Sequence, residues 1–385
     1  MKVLVFVTQF YQLGGAERLA VELTGDLNRR GYCADLLSMY SADLPGTSEA
    51  EKILRSRGIE NISFLGLRVH PSMSTFLGAI LRLRNLLKQG GYDVIETSSL
   101  TSTVLASWAT IGTSTRHIAG IHHVYRRQVD NTLQQRLLRY SMRLNQGTLF
   151  YAVSDYTKAA WVSYAGVAAS RCRTIYNAIM DENFEALPAR SRVAYELGID
   201  VSARILLFVG RLAKYKGCDV VLDAFTGIAE QENLYLLFVG EVDPSVNGSR
   251  EMVVGMKRLI KSQGLEARVR FLGYRTDVPI LMASADVLVH PTEKEAFGLA
   301  PVEALAAGLP VIATAVEGIP EVLEGSGSII VQPNSSNEVR AAVLTVFNRS
   351  AEEVAKVRVQ GRAVAAKYRR RRRVDNFLSF FKESG

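Results

Sequence analysis

Cysteine is scarce in this chain. Among 385 residues there are three, Cys33, Cys172 and Cys218, scattered without ligand or redox spacing. That excludes a disulfide framework and a thiolate metal cluster, and it points to a reducing cytoplasm. Long apolar runs are also missing. The nearest, TVLASWATIG (103–112), is short and interrupted by polar groups, so no segment is expected to span a bilayer. The opening MKVLVFVTQFYQLGG has an apolar run too short for a secretory leader and lacks a cleavage-like tail. No G-x-G-x-x-G follows the first apolar run, where Gly14-Gly15 has no third partner glycine. No G-x-x-x-x-G-K-[ST] occurs anywhere. Hydride transfer on a dinucleotide and P-loop ATP hydrolysis are therefore disfavoured. With five histidines and no D-x-D, no metal cluster is expected, and no cofactor either.

What is present is ordinary globular composition, with 48% hydrophobic and 22% charged residues. The length exceeds what one core usually serves, so two domains are expected. The net charge of +8 is unevenly placed. Residues 1–177 carry 20 basic groups against 12 acidic ones, and the last twenty residues 7 against 2. The intervening block 178–365 is at −5. A basic lobe suggests an anionic surface or acceptor near it.

Apolar strands alternate with helical patterns throughout. KVLVFVTQF, CADLLSMY, NISFLGL, DVIETSS, RHIAGIHH, TLFYAVSD and RTIYNAI read as strands in the first half. RILLFVGR, LYLLFVGE, VRFLGYR, ADVLVHPT, LPVIATAV and SIIVQP repeat the theme in the second. Continuous apolar strands separated by helices imply parallel sheets covered on both faces, here two doubly wound α/β domains. The polar, Pro-containing stretch 180–192 is the natural linker. Ligands of such sheets bind beyond the carboxyl ends of the strands, which puts the expected site between the domains.

Four segments carry candidate chemistry. In KEAFGLAPVEALAAGLPVIAT (294–314) two carboxylates, Glu295 and Glu303, interrupt a segment otherwise built to be buried. Pro301 suits a first helical turn and Gly308 a left-handed stop. Glu303 is then expected in the first turn and Glu295 in the loop before it. The amides near Gly298, Leu299 and Ala300 would offer a phosphate the positive end of a helix. Taken singly, either glutamate could simply offset the helix dipole. VGRLAKYKG (209–217) ends a buried strand with Arg211 and Lys216, cations suited to a pyrophosphate or to a solvated turn. LGGAER (13–18) opens a helix with Gly14 and Gly15, bare backbone that a ligand can approach. IAGIHHV (118–124) ends a strand with His122 and His123, of which strand alternation allows one to face the chemistry.

Taken together these segments resemble family 4 of the retaining glycosyltransferases, over nearly the whole chain and in the expected order. Glu295 and Glu303 match that family's E-x7-E motif, and Arg211 and Lys216 its R-x4-K pair. The resemblance implies a GT-B type fold, with two Rossmann-like domains facing across a cleft. Residues 1–177 would bind the acceptor and 178–365 the nucleotide-sugar, while a C-terminal helix in 366–385 returns to the first domain. It implies that Glu303 takes the ribose hydroxyls and Glu295 the hydroxyls of the transferred sugar. The backbone of Phe297, Gly298, Leu299 and Ala300, with Arg211 and Lys216, would hold the diphosphate. Gly15 would abut it from the first domain, His122 would contact the sugar near its 6-hydroxyl, and Arg275 would lie by the nucleobase. The transfer would proceed with retention and without a metal. Two positions depart from the family pattern: Ala296 replaces a glycine beside the donor sugar, and Ala178 follows Asn177 where glycine is usual.

The donor implied is a UDP-sugar, with GDP- or ADP-sugars as the in-class alternative. A sugar-nucleotide epimerase or phosphorylase, and a non-catalytic sugar-binding module, are the rivals from other classes. The acceptor implied is a glycan or lipid-linked hydroxyl, in cell-envelope or exopolysaccharide synthesis. YRRRRRVDNFLSFFKES closes the chain. With no stacking platform or recognition helix elsewhere, its arginines do not point to nucleic acid. Docked on the first lobe through Phe377, Leu378, Phe380 and Phe381, the tail would raise that lobe to +13, counted from the sequence. That suggests a peripheral place on the inner face of an anionic membrane, with ordinary solubilising charge as the plainer reading.

Overall fold

The structure is a computed structural model that describes residues 1–10, 15–68, 73–126, 130, 132–180, 184, 190–229, 233–244 and 246–383. The chain divides into two compact units, 1–177 with 373–385, and 178–372. All thirteen apolar segments form strands. In the first unit they are β1 (Lys2–Val7), β2 (Cys33–Tyr40), β3 (Ile62–Leu67), β4 (Val94–Thr97), β5 (Arg116–Ile121), β6 (Leu149–Ala152) and β7 (Cys172–Thr174). They make one parallel sheet in the order β3-β2-β1-β4-β5-β6-β7. In the second unit β8 (Arg204–Val209), β9 (Leu234–Val239), β10 (Val269–Phe271), β11 (Val287–His290), β12 (Val311–Thr314) and β13 (Ile329–Val331) run β10-β9-β8-β11-β12-β13, also parallel. Each sheet reverses its strand order once, between β1 and β4 and between β8 and β11. There the connections leave in opposite directions and open a crevice at the carboxyl edge.

Burial explains why alternation is absent from these strands. Val3 to Val7 of β1 and Ile205 to Phe208 of β8 are buried without a break, because helices cover both faces. On one face of the first sheet, β1, β4 and β5 pack against the helix Gly15–Arg29 and against Val374, Phe377, Leu378, Phe380 and Phe381 of the last helix, Arg370–Glu383. Arg116 secures that helix by donating to the Phe381 carbonyl at 3.1 Å, its guanidinium 4.0 Å above the Phe381 ring. The run TVLASWATIG contributes to a core helix, Leu100–Ala109, capped by Ser99 and Ser102. Among the described residues no helix is long and apolar enough to cross a membrane.

The tail departs from expectation in where it changes unit. Residues 366–372 stay with the second unit. Tyr368 donates to the Val322 carbonyl at 3.1 Å, and its own carbonyl accepts from the Ile179 amide at 2.9 Å. Only from Arg373 does the chain belong to the first unit. The charge reckoning changes accordingly. The first unit holds 22 basic against 14 acidic residues, net +8, and the second is neutral, so the +13 and −5 split does not arise. Nor is the arginine run uniformly a surface feature. Arg373 is buried and donates to the Leu19 carbonyl at 3.0 Å.

Candidate active site

In the second unit the candidate residues gather where β8 and β11 diverge. The loop leaving β8 carries Arg211 and Lys216, and the loop leaving β11 carries Glu295. The two loops are stitched by the Tyr215 carbonyl, which accepts from the Glu293 amide at 2.8 Å and from Thr292 Oγ1 at 3.1 Å. This brings Lys216 Nζ to 2.7 Å from Glu295 Oε2, across 79 positions of sequence. Burial by itself would push the Glu295 carboxyl up. The Lys216 charge outweighs it and holds the group well below the usual carboxylate range. Arg211 also has a carboxylate partner, Asp243, at 2.5 Å, and it donates to Tyr215 Oη at 2.6 Å. Both cations are thus held by side chains that an arriving anion would compete with.

The helix that follows Glu295 runs Leu299–Ala307. Gly298 precedes it in the left-handed region (φ 90°), and a Cβ there would lie 2.6 Å from Ile319 Cδ1. Gly308 ends it, also left-handed (φ 77°), as the sequence pattern predicts. Glu303 does not lie in the first turn: it is the fifth helical residue and half-buried. The Phe297 side chain is core, edge-on to Tyr368 at 5.2 Å, which leaves its backbone as the part able to serve a ligand. Arg275 is bound by two carboxylates, Asp277 of its own loop at 2.6 Å and Glu196 of the helix Arg190–Leu197 at 2.8 Å. Sequence reading overlooked His290, the last residue of β11. It is buried, its Nε2 is 3.6 Å from Glu295 Oε2, and neither ring nitrogen has a hydrogen-bond partner. Burial and then the Lys216 charge push its pKa down despite Glu295, so the imidazole is neutral.

In the first unit a cavity of ≈ 230 Å³ opens at the carboxyl ends of β4 and β5. Ala16, Ser98, Ser99, Gly120, His122 and His123 are among its lining. Gly15 begins the adjoining helix, and Gly14 lies outside the described residues. The two histidines diverge as strand alternation requires. His122 turns toward Tyr151, whereas His123 is exposed and edge-on to Tyr125 at 5.1 Å. Burial and the Arg373 charge push the His122 pKa down to about 3, so it is neutral at physiological pH. Among the described residues no three His, Cys, Asp or Glu side chains are grouped as a metal-ligand set.

Two parallel sheets, each with a single reversal point and candidate groups at its carboxyl edge, define a tandem Rossmann-like protein. Residues 13–183 match the family model "Glycosyltransferase Family 4" and residues 192–364 match "Glycosyl transferases group 1". The chain belongs to glycosyltransferase family 4. It is 36% identical over 152 residues to N-acetyl-alpha-D-glucosaminyl L-malate synthase of Bacillus anthracis, covering 40% of this chain and 38% of that one. It is 35% identical over 155 residues to lipopolysaccharide glucosyltransferase WaaG of Escherichia coli K12, covering 38% and 39%. The chain thus spans about two fifths of the length of each of these curated relatives. Over its full length it superposes on the crystal structure of Anabaena HepE in complex with UDP, with a TM-score of 0.84 and 22% identity, covering 100% of both chains.

Proposed function

We propose that this protein is a retaining glycosyltransferase that moves a sugar from a UDP-sugar to a hydroxyl of a glycan or lipid-linked acceptor. The observation that carries the reading is the Lys216–Glu295 pair at 2.7 Å, set at a sheet reversal beside the amino end of the helix Leu299–Ala307. On arrival of the donor, Lys216 exchanges Glu295 for the diphosphate, and the freed carboxylate accepts from hydroxyls of the transferred sugar. Arg211 and the amides from Gly298 to Ala300 share the phosphate charge, Glu303 takes the ribose hydroxyls, and Arg275 flanks the base. His122 meets a hydroxyl of the transferred sugar.

The bond from the anomeric carbon to the phosphate oxygen breaks while the acceptor oxygen bonds to the same face of that carbon. The acceptor's proton passes to the departing phosphate oxygen, which leaves as nucleoside diphosphate. Fixed cations and amides stabilise the charge that develops there. The chain's own cations serve this role in the proposal, so a chelator should leave turnover unchanged. The UDP complex of the Anabaena neighbour supports UDP as the nucleotide, and the name of the E. coli relative supports a cell-envelope glycan.

The proposed acceptor side is the cytoplasmic face of an anionic membrane. The first unit supports this through the helix Leu133–Leu144, where Leu133, Leu137, Tyr140 and Leu144 form an exposed stripe at helical spacing. Leu77 and Leu81 are exposed beside Arg82 on the helix Met73–Gly90. Apolar contact with basic flanks suits an anionic bilayer surface, each basic residue contributing about 1 kcal/mol. Co-sedimentation with anionic but not neutral liposomes is expected, and equal behaviour with both removes the membrane. The donor is tested by thermal shifts with UDP-, GDP- and ADP-sugars, followed by linkage analysis of the product. Stabilisation by UDP-sugars with a retained anomeric configuration is expected. No shift with any of the three ends the reading, and a shift with another base replaces the nucleotide.

A further inference from the structure

The three strands β4, β5 and β6 lie side by side, with Glu96 opposite Ile118 and Gly120 opposite Tyr151. Alternation sends Glu96, Gly120 and Tyr151 to one face, the one covered by the helices Gly15–Arg29 and Arg370–Glu383. Near the carboxyl edge of that face a polar chain has been built into the core. Glu96 is fully buried, and its Oε1 accepts from Tyr151 Oη at 2.6 Å and from Ser98 Oγ at 2.6 Å. Its Oε2 is buried without a hydrogen-bond partner. Burial pushes the Glu96 carboxyl up, against the pull of its two donors and of Arg373. Tyr151 Oη also lies 3.4 Å from His122 Nε2, with the two rings edge-on at 89°. Gly120 lets them meet: a Cβ there would be 2.5 Å from the Tyr151 oxygen and 2.8 Å from His122 Nε2.

A phenol has one proton. Here it goes to Glu96, so the Tyr151 oxygen faces His122 as an acceptor, and Nε2 must carry the proton of the neutral imidazole. We infer that Tyr151 and Glu96 are positioning residues that lock His122 as its Nε2–H tautomer, leaving Nδ1 to accept a hydrogen bond from a substrate hydroxyl. The identity of that hydroxyl, on the transferred sugar, rests on the donor reading above; the tautomer does not. The reverse chain, with a proton on Glu96 passed toward the phenol, would present His122 to the substrate as a donor instead.

Histidine-selective ¹⁵N labelling of the full chain, read by two-bond ¹H–¹⁵N spectra, reports each tautomer directly. The chain has five histidines, and the signals lost in His122→Gln assign this one. The wild type should show Nε2–H. Tyr151→Phe should give a mixture of tautomers and lower kcat/KM for the nucleotide-sugar about tenfold. Glu96→Gln, whose amide can donate back to the phenol, should shift His122 toward Nδ1–H, and it serves if Tyr151→Phe fails to fold. A wild-type Nδ1–H signal, or a tautomer unchanged in both variants, overturns the inference. Because the spectrum is taken without sugar, the expected tautomer in a protein that binds no nucleotide-sugar overturns the donor assignment alone.

Discussion

The charges of Lys216 and Glu295 pair at 2.7 Å although 79 positions separate them. Lys216→Ala removes the proposed phosphate cation and leaves Glu295 without its strongest partner. Turnover should fall by on the order of 10²–10³, while a far-UV spectrum keeps its native form. Full activity in that variant would remove Lys216 from the site. These two residues could be found from sequence because Lys216 follows the end of a buried strand and Glu295 interrupts a segment otherwise built to be buried. Tyr151 and Glu96 could not. A tyrosine in TLFYAVSD reads as another core aromatic, and a glutamate in DVIETSS as a strand end. Only the register of β4, β5 and β6 sets their oxygens 2.6 Å apart. His290 was hidden in the same way, since ADVLVHPT reads as a strand and its neighbour Glu295 comes from the following loop.

At the scale of the element, the helix Leu299–Ala307 shows what a local pattern conveys. Its stop at Gly308 is legible because a left-handed terminus favours glycine. Its start is legible to within a turn, because proline is tolerated wherever the helical amide lacks an acceptor. Pro301 therefore marks the first turn without fixing which position it fills, and Glu303 falls one place beyond it. Gly298→Ala should be destabilising by about 1–2 kcal/mol, from the left-handed backbone alone, with the contact to Ile319 adding to it. The same variant should weaken UDP binding, since the amides after Gly298 would be re-aimed. Urea unfolding and calorimetric titration with UDP measure the two effects, and unchanged affinity would argue against phosphate at this helix.

For the whole molecule, the last helix is structural. Deleting 373–385 would uncover Val3, Val5 and Tyr151, which now pack with Val374, Phe377 and their neighbours. The truncated chain should be insoluble or expose hydrophobic surface to a dye, and a soluble, native-like product would contradict the packing. Acid sensitivity is a second global property. His117 is buried, and burial pushes its pKa down to about 3, against about 6.5 when unfolded. Between those values the unfolded chain binds a proton that the folded one refuses. Stability should thus fall on acidifying below about pH 6.5, by up to about 1.4 kcal/mol per pH unit for this residue. Urea midpoints at about pH 7 and about pH 5.5 check the sign, and a flat profile would mean the group titrates normally in the fold.

Sequence alone determined the two parallel sheets, the thirteen strands of the described residues, and the glutamates and cations that mark the candidate loops after β8 and β11. Those properties depend on local apolar runs, on turn chemistry and on spacing along one chain. Tertiary structure alone decided that Arg373 is core while its arginine neighbours belong to the other unit. It also decided that Gly120 clears space for Tyr151 to meet His122. The first depends on where the last helix docks, with Arg373 donating to the Leu19 carbonyl, and the second on which strand lies beside which; each is a relation between distant segments that no single stretch encodes.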